Sequence, residues 1–171
     1  MNSKTYWTTR PERTSDTDAI YQINKEAFGR LDEADLVNAL RSDDSWIDGL
    51  SMVSLDGEGK PIGHALLTRC KIDNANALCL APCAVLPDYQ GQGAGSAAIE
   101  SALRAAAELG EDVVTVLGSP AYYSRFGFEK SSTHDVSLAI EVPEENLMVL
   151  SLQGNRQLPS GVITYAGPFG M

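Results

Sequence analysis

Three alternating glycines, Gly91, Gly93 and Gly95, are the residues whose type and spacing most clearly suggest chemistry in this chain. They follow an apolar stretch that ends at Pro87, and an alanine-rich pattern typical of a helix begins directly after them. This order predicts a strand, a glycine loop and the start of a helix. Backbone N–H groups without partners gather at such a point with the positive end of the helix dipole, and they bind anions. We therefore expect a phosphate-bearing ligand here.

Two common phosphate-binding motifs do not fit this loop. A P-loop requires GxxxxGK[ST], and the loop from Gly91 to Ser96 contains no lysine. A dinucleotide site requires GxGxxG at the opening of a first βαβ unit, with an acidic residue at the end of the second strand. Here the third glycine comes one position early, and Glu111 and Asp112 precede the next predicted strand. The P-loop interpretation is excluded, and the dinucleotide interpretation is disfavoured.

A second motif, the run from Tyr123 to Phe128, lies one predicted helix and one predicted strand downstream. It resembles the Y-x-x-x-G-F element of the GNAT superfamily of N-acetyltransferases. Gln90-x-x-Gly93-x-Gly95 resembles the Q/R-x-x-G-x-G/A element of the same family, and Val85-Leu86-Pro87 is similar to the strand end that precedes it. The run LGSPAYYSRFGF, which begins at Leu117, is more specifically similar to a bacterial branch of that family. The resemblance is strong over residues 77–128 and weak in the C-terminal third.

The resemblance implies an acetyl-CoA-dependent N-acetyltransferase whose acceptor is a primary amine of a small molecule or a protein. The end of the strand that precedes the loop would splay from the next strand, and the pantetheine arm of the cofactor would pair with its free backbone groups. The loop would bind the pyrophosphate. The residues that the resemblance assigns to the cofactor are Ala84, Val85, Leu86, Gln90, Gly91, Gln92, Gly93, Ala94, Gly95 and Ser96.

The resemblance also implies that Tyr123 is the general acid. A phenol with a pKa near ~10 stays protonated at neutral pH and can donate to the leaving thiolate of coenzyme A. The general base stays open, between a water chain and an acid such as Asp32 or Glu33, while His64 is interpreted as structural. A non-catalytic acyl-CoA-binding sensor or scaffold of the same fold is the alternative, because it needs the loop but not Tyr123.

The elements that must position these residues predict one α/β domain over residues 1–171, with a mixed sheet flanked by helices. A first helix is predicted to end at Gly29, and a second helix is predicted from Glu33 to Arg41. A third helix is expected over residues 96–109 and a short one over 119–126. Strands are predicted over residues 7–10, 50–55, 62–72, 77–86, 113–117, 136–140, 147–152 and 162–165.

The three cysteines, Cys70, Cys79 and Cys83, form no CxxC pair and indicate neither a disulfide framework nor a metal site. We interpret them as small buried apolar residues. Cys79 and Cys83 would share a face if their strand is regular, although Pro82 predicts a bulge between them.

Composition excludes several classes of protein. Thirteen basic against 23 acidic residues give a net charge of −10, which disfavours general binding to nucleic acids. No apolar stretch is long enough to cross a bilayer, and residues 1–7 lack the apolar core of a signal peptide, so a cytoplasmic location is expected. The family resemblance also allows a homodimer.

Overall fold

The computed structural model describes residues 7–170, and within them the chain forms nine strands and four helices. Residues 1–6, on which the expected location partly depends, and Met171 lie outside the described residues. The helices are α1 (Thr17–Phe28), α2 (Asp32–Arg41), α3 (Ala94–Glu108) and α4 (Pro120–Tyr123). The strands are β1 (Thr8–Pro11), β2 (Trp46–Leu55), β3 (Pro61–Ile72), β4 (Ala75–Val85), β5 (Val113–Leu117), β6 (Glu129–Lys130), β7 (Val136–Leu138), β8 (Leu147–Ser151) and β9 (Gly161–Thr164).

The strands form one mixed sheet in the order β1-β2-β3-β4-β5-β8-β6, and β9 pairs with both β3 and β7. Along the main path every pair is antiparallel except β4 and β5, which run parallel with α3 as their crossover. A parallel pair requires such a crossover, because a tight turn cannot return the chain to the same end of the sheet. The expected mixed α/β sheet is therefore confirmed.

The core consists of layers on the two faces of this sheet. Helix α3 covers one face, where Ile99 packs in the same buried cluster as Leu67 and Leu80. Helices α1 and α2 cover part of the other face, where Ile20 packs with Leu66. The C-terminal strands extend that second layer. The burial follows from alternation along β3, since successive side chains of a strand point to opposite faces.

Local sequence signals mark some of the element ends. Helix α1 ends at Gly29, which adopts the left-handed conformation typical of a helix C-cap, with φ of 68°. Pro120 opens α4, where its missing N–H costs no helical hydrogen bond. Several bounds differ from the sequence prediction, and two of these differences concern the glycine loop: α3 begins at Ala94 instead of Ser96, and β4 ends at Val85, so Leu86 lies just beyond the strand.

Strand β4 is irregular at Pro82, as the sequence predicts. Cys83 pairs with Ala65 and Leu80 pairs with Leu67, so two residues of β4, Ala81 and Pro82, lie opposite one residue of β3. The extra residue reverses the faces that follow it. Cys79 consequently packs in the cluster of the C-terminal strands, whereas Cys83 packs against the cluster beneath α3. The two cysteines do not share a face, because that expectation required a regular strand.

Candidate active site

The parallel strands β4 and β5 separate from each other after a short region of pairing. Only Leu78 and Cys79 of β4 pair with β5, opposite Val114 and Thr115. From Leu80 to Val85, β4 continues without pairing to β5 within the part of the chain that the structure describes. The predicted splay is therefore present, and it leaves backbone N–H and C=O groups on this edge of β4 without a partner strand.

A cleft of about 280 Å³ opens at this separation, and we call it the strand-gap cleft. Cys83, Ala84 and Val85 line it from β4, Gln90, Gly95 and Ile99 line it from the loop and α3, and Ala27 and Phe28 line it from the end of α1. Tyr122 and Tyr123 complete it. The arrangement brings the two predicted motifs together around the free edge of β4.

A second cleft, of about 360 Å³, lies beside the first and follows the glycine loop. We call it the glycine-loop cleft. Gly91, Gly93 and Gly95 line it together with Ser96, Tyr122 and Arg125. Within residues 7–170, the backbone N–H groups from Gly91 to Ser96 have no hydrogen-bond acceptor, and the first intrahelical bond runs from Ala97 N–H to Gly93 C=O. These free donors form the anion site expected at the start of α3.

Two predicted side chains stabilise this loop from within. The Nε2 atom of Gln90 donates to the carbonyl of Val85 at 3.0 Å, and the Nε2 atom of Gln92 donates to the carbonyl of Asp88 at 3.3 Å. Their amide groups are thus used to join the loop to the end of β4 and to the turn after it. The loop presents its backbone to the cleft.

The two adjacent tyrosines occupy different positions. The Tyr122 hydroxyl lies 2.9 Å from Oγ of Ser96, so Tyr122 connects α4 to the first turn of α3. The Tyr123 ring packs edge-on against Phe128 and lies beside the Cys83 thiol at the strand-gap cleft. Burial raises the pKa of both phenols, and the neighbouring Cys83 raises that of Tyr123 further. Both tyrosines are therefore protonated at neutral pH and can donate a proton.

Arg125, which is not among the site residues predicted from the sequence, brings a positive charge to the glycine-loop cleft. Its guanidinium carbon lies 4.5 Å from the centroid of the Tyr122 ring, a cation–π contact that directs the exposed side chain along the cleft. A cation beside an anion site adds electrostatic attraction to the hydrogen bonds of the loop. The sequence feature that could have identified Arg125 is its place within the run from Tyr123 to Phe128.

Neither carboxylate suggested as a base lines the strand-gap cleft. Asp32 is exposed, and Glu33 accepts hydrogen bonds from the guanidinium of Arg30, which lowers the pKa of that carboxyl group. His64 is completely buried, as the structural interpretation expects.

The Cys83 thiol faces the cleft but is not activated. Burial raises its pKa to about 12, so the thiolate that a covalent mechanism needs is nearly absent at neutral pH. Among residues 7–170, no group of three His, Cys, Asp or Glu side chains is placed to hold a metal ion. Over the same range, none of the helices has the length and apolar character needed to cross a membrane.

The fold and both motifs define the class of protein. The model of the acetyltransferase (GNAT) family matches residues 17–128, which include the gap, the glycine loop and the Tyr123 motif. The chain belongs to this family, whose enzymes take their acetyl group from acetyl-CoA. It is an N-acetyltransferase with acetyl-CoA as its co-substrate.

Similar proteins and structures agree with this class. The chain is 36% identical to the uncharacterized N-acetyltransferase YjhQ of Escherichia coli K12 over 162 residues, which cover 90% of this chain and 89% of that protein. It is 35% identical to the uncharacterized N-acetyltransferase YhbS of the same strain, over 74% of this chain and 76% of that protein.

The crystal structure of YhbS from Escherichia coli in complex with CoA superposes with a TM-score of 0.87 at 28% identity, covering 100% of this chain and 96% of that one. A GNAT acetyltransferase from Brucella melitensis in complex with acetyl-CoA gives a TM-score of 0.79 at 26% identity, covering 96% and 98%.

Proposed function

We propose that the chain transfers the acetyl group of acetyl-CoA directly to a primary amine of a small molecule or protein, within the gap between β4 and β5. The observation that carries this proposal is the pairing of β4 with β5, which stops at Cys79 while β4 continues to Val85. The gap leads to the free N–H groups of the glycine loop at one side and to Tyr123 at the other. A thioester and its diphosphate fit these two features.

We assign the diphosphate to the N–H groups from Gly91 to Ser96 and to the guanidinium of Arg125. Two glycines of this loop, Gly91 and Gly93, have positive φ of 75° and 89°, a conformation that a side chain would strain. At Gly95 a Cβ would come 3.1 Å from Cγ2 of Val85, so glycine keeps the passage between loop and strand open. Gln90 and Gln92 maintain the loop, as their hydrogen bonds indicate.

We assign the pantetheine arm to the free edge of β4 at Ala84 and Val85 and to Leu86 just beyond it. On its other side this segment already pairs with β3, where Ala84 lies opposite His64 and the Leu86 N–H donates to the carbonyl of Ile62 at 2.9 Å. The amide groups of pantetheine resemble a further strand, which the open edge accepts by backbone pairing.

The chemistry is a direct acyl transfer. The neutral amine nitrogen attacks the carbonyl carbon of the thioester, a C–N bond forms, and the C–S bond breaks with its electron pair going to sulfur. Tyr123 donates its phenolic proton to the departing thiolate of coenzyme A. The newly bonded nitrogen then releases its extra proton to water, and water returns a proton to the Tyr123 phenolate, so the enzyme ends in its starting state. An alkylammonium acceptor first loses a proton, which costs roughly 4.6 kcal/mol at pH 7, so the acceptor is deprotonated on its way to the gap.

The test is the pair Tyr123→Phe and Tyr122→Phe, assayed by release of coenzyme A after a panel of polyamines, aminoglycosides, amino acids and peptide amines has identified an acceptor. Tyr123→Phe is expected to bind acetyl-CoA as the parent does and to lose about a hundredfold in kcat. Tyr122→Phe removes an equivalent hydroxyl from the neighbouring position and is expected to lose much less. Undiminished turnover by Tyr123→Phe would overturn the assignment.

The same panel discriminates the non-catalytic alternative. Tight binding of acetyl-CoA without release of coenzyme A for any amine would favour a sensor or scaffold. A cytoplasmic location and assembly as a homodimer are further parts of the proposal, and light scattering on the purified protein tests the dimer.

A further inference from the structure

The glycine loop is bound to the N-terminal segment of the chain through one side chain. The indole Nε1 of Trp7 donates a hydrogen bond of 2.9 Å to the backbone carbonyl of Gln92, across 85 positions of sequence. The Trp7 ring also contacts Tyr89 edge-on, with a centroid distance of 6.0 Å. Trp7 is thereby fixed on both sides of the loop, against the turn before it and against the peptide group inside it.

This hydrogen bond determines the direction of a neighbouring donor. The carbonyl of Gln92 and the N–H of Gly93 belong to one trans peptide unit, so they point in opposite directions. Because Trp7 holds the carbonyl, the N–H of Gly93 points away from the indole, and Gly93 is one of the residues that line the glycine-loop cleft. The positive φ of Gly93 leaves this peptide otherwise easy to rotate.

A second side chain binds the carbonyl that lies two residues after that of Gln92. The hydroxyl of Ser54 donates a hydrogen bond of 2.6 Å to the carbonyl of Ala94, and Ser54 is fully buried. By the same peptide geometry, this bond adds to the first turn of α3 in directing the N–H of Gly95 away from the sheet. Gly63 pairs with Ser54, and a Cβ at Gly63 would lie 3.3 Å from Cβ of Ser54, so glycine leaves room for the Ser54 side chain.

We infer that Trp7 and Ser54 are positioning residues for the diphosphate of acetyl-CoA: they bind the carbonyl side of the Gln92–Gly93 and Ala94–Gly95 peptides so that the N–H side faces the ligand. The inference rests on the proposed assignment of this loop to the diphosphate. Neither residue lines the strand-gap cleft or the glycine-loop cleft. Their contribution is to prevent the loop from turning its carbonyl oxygens, which repel phosphate, into the cleft.

The experiment compares Trp7→Phe and Ser54→Ala with two matched controls. Trp7→Phe keeps an aromatic ring against Tyr89 but removes the indole N–H, and Trp46→Phe is the same change at the other tryptophan. Ser54→Ala removes one hydroxyl, and Ser45→Ala is the same change at a second buried serine away from the loop. Each protein is titrated with acetyl-CoA by calorimetry and assayed with the acceptor from the amine panel.

Trp7→Phe and Ser54→Ala are each expected to raise the Kd and KM for acetyl-CoA by about three- to tenfold, the loss typical of one hydrogen bond. The change falls on KM, because kcat at saturating acetyl-CoA reflects the gap and Tyr123. With S-acetylpantetheine, a donor that lacks the diphosphate, kcat/KM of both variants is expected to match that of the parent.

Two results overturn the inference. One is an unchanged Kd for acetyl-CoA in both variants. The other is an equal loss with acetyl-CoA and with S-acetylpantetheine, which would indicate a general structural role. Failure of the proposed function appears differently, since the parent protein itself would then neither bind acetyl-CoA nor release coenzyme A.

Discussion

The ring of Tyr123 lies directly against the backbone of Gly118, where a Cβ would overlap the Cε2 edge of the ring. Gly118 follows β5, and its N–H donates to the carbonyl of Asn146 at 2.8 Å, so its backbone is held by the neighbouring chain segment. The end of β5 therefore sets the position of the proposed general acid. The absence of a side chain at residue 118 permits that position.

Replacing Gly118 by alanine is expected to displace the phenol of Tyr123 and to lower kcat at least about tenfold, because misplacement of a reacting group by 1 Å costs up to a hundredfold. Binding of acetyl-CoA changes less, since the glycine loop is untouched. Steady-state kinetics measure kcat and the KM for acetyl-CoA separately. Gly57→Ala is the control, because a Cβ there meets nothing within 4 Å. Equal kcat in the two variants would contradict the role of Gly118 in positioning Tyr123.

The buried His64 predicts a specific loss of stability in acid. Its Nδ1 lies 3.3 Å from Nδ2 of Asn24 and its Nε2 lies 2.9 Å from Oγ of Ser51. Burial lowers its pKa from 6.5 to about 3, and the positive charge of Arg41 adds to the shift. The His64 imidazole therefore binds a proton below pH 6.5 in the unfolded chain, but only near pH 3 in the folded chain. The free energy of unfolding consequently falls as the pH drops from 6.5 towards 3.

Between pH 6.5 and pH 5 the neutral His64 alone is expected to reduce the free energy of unfolding by about 1.7 kcal/mol. Urea denaturation of the parent and of His64→Gln at both pH values measures it. The parent should lose more stability than the variant over this interval, and any constant cost of the substitution cancels in the comparison. Identical pH dependence of the two proteins would refute a depressed pKa.

Arg125 should contribute to cofactor affinity through its charge. Arg125→Ala is expected to raise the Kd for acetyl-CoA about five- to tenfold, since a charge-assisted contact to the diphosphate is lost. Because Arg125 is exposed, the affinity of the parent should also fall with added salt, and that of the variant should fall less. Calorimetry at low and high salt checks both effects. Arg156→Ala serves as the control, and a matching change there would indicate only an effect of net charge.

The raised pKa of Cys83 predicts direct transfer without an acyl-enzyme. Incubation of the protein with acetyl-CoA and labelled coenzyme A, in the absence of an amine, should produce no labelled acetyl-CoA. A ping-pong enzyme would exchange the label, because its acetylated form reacts backwards with free coenzyme A. Exchange that disappears in Cys83→Ala would show that the thiol is acetylated after all.

The sequence predicts the glycine loop, the C-terminal end of α1, the start of α4 and the irregularity at Pro82. Each depends on chemistry within a few residues: a left-handed glycine, a proline without an N–H, or a helix start. Helix α3 was placed two residues late for the same reason, since Ala94 and Gly95 carry no side-chain signal of a helix start. Arg125 was missed because its value depends on the cleft beside it.

The sequence by itself determined the class of this enzyme, because the motifs around Gly93 and Tyr123 act through local backbone geometry and each is contained in a short stretch of sequence. The tertiary structure alone decided which surfaces meet. It ended the pairing of β4 with β5 at Cys79, turned Cys83 towards Tyr123, and brought Trp7 and Ser54 to the carbonyl side of the loop. Such contacts join residues 40 or 85 positions apart. They depend on the register and twist of the whole sheet, which no short segment encodes.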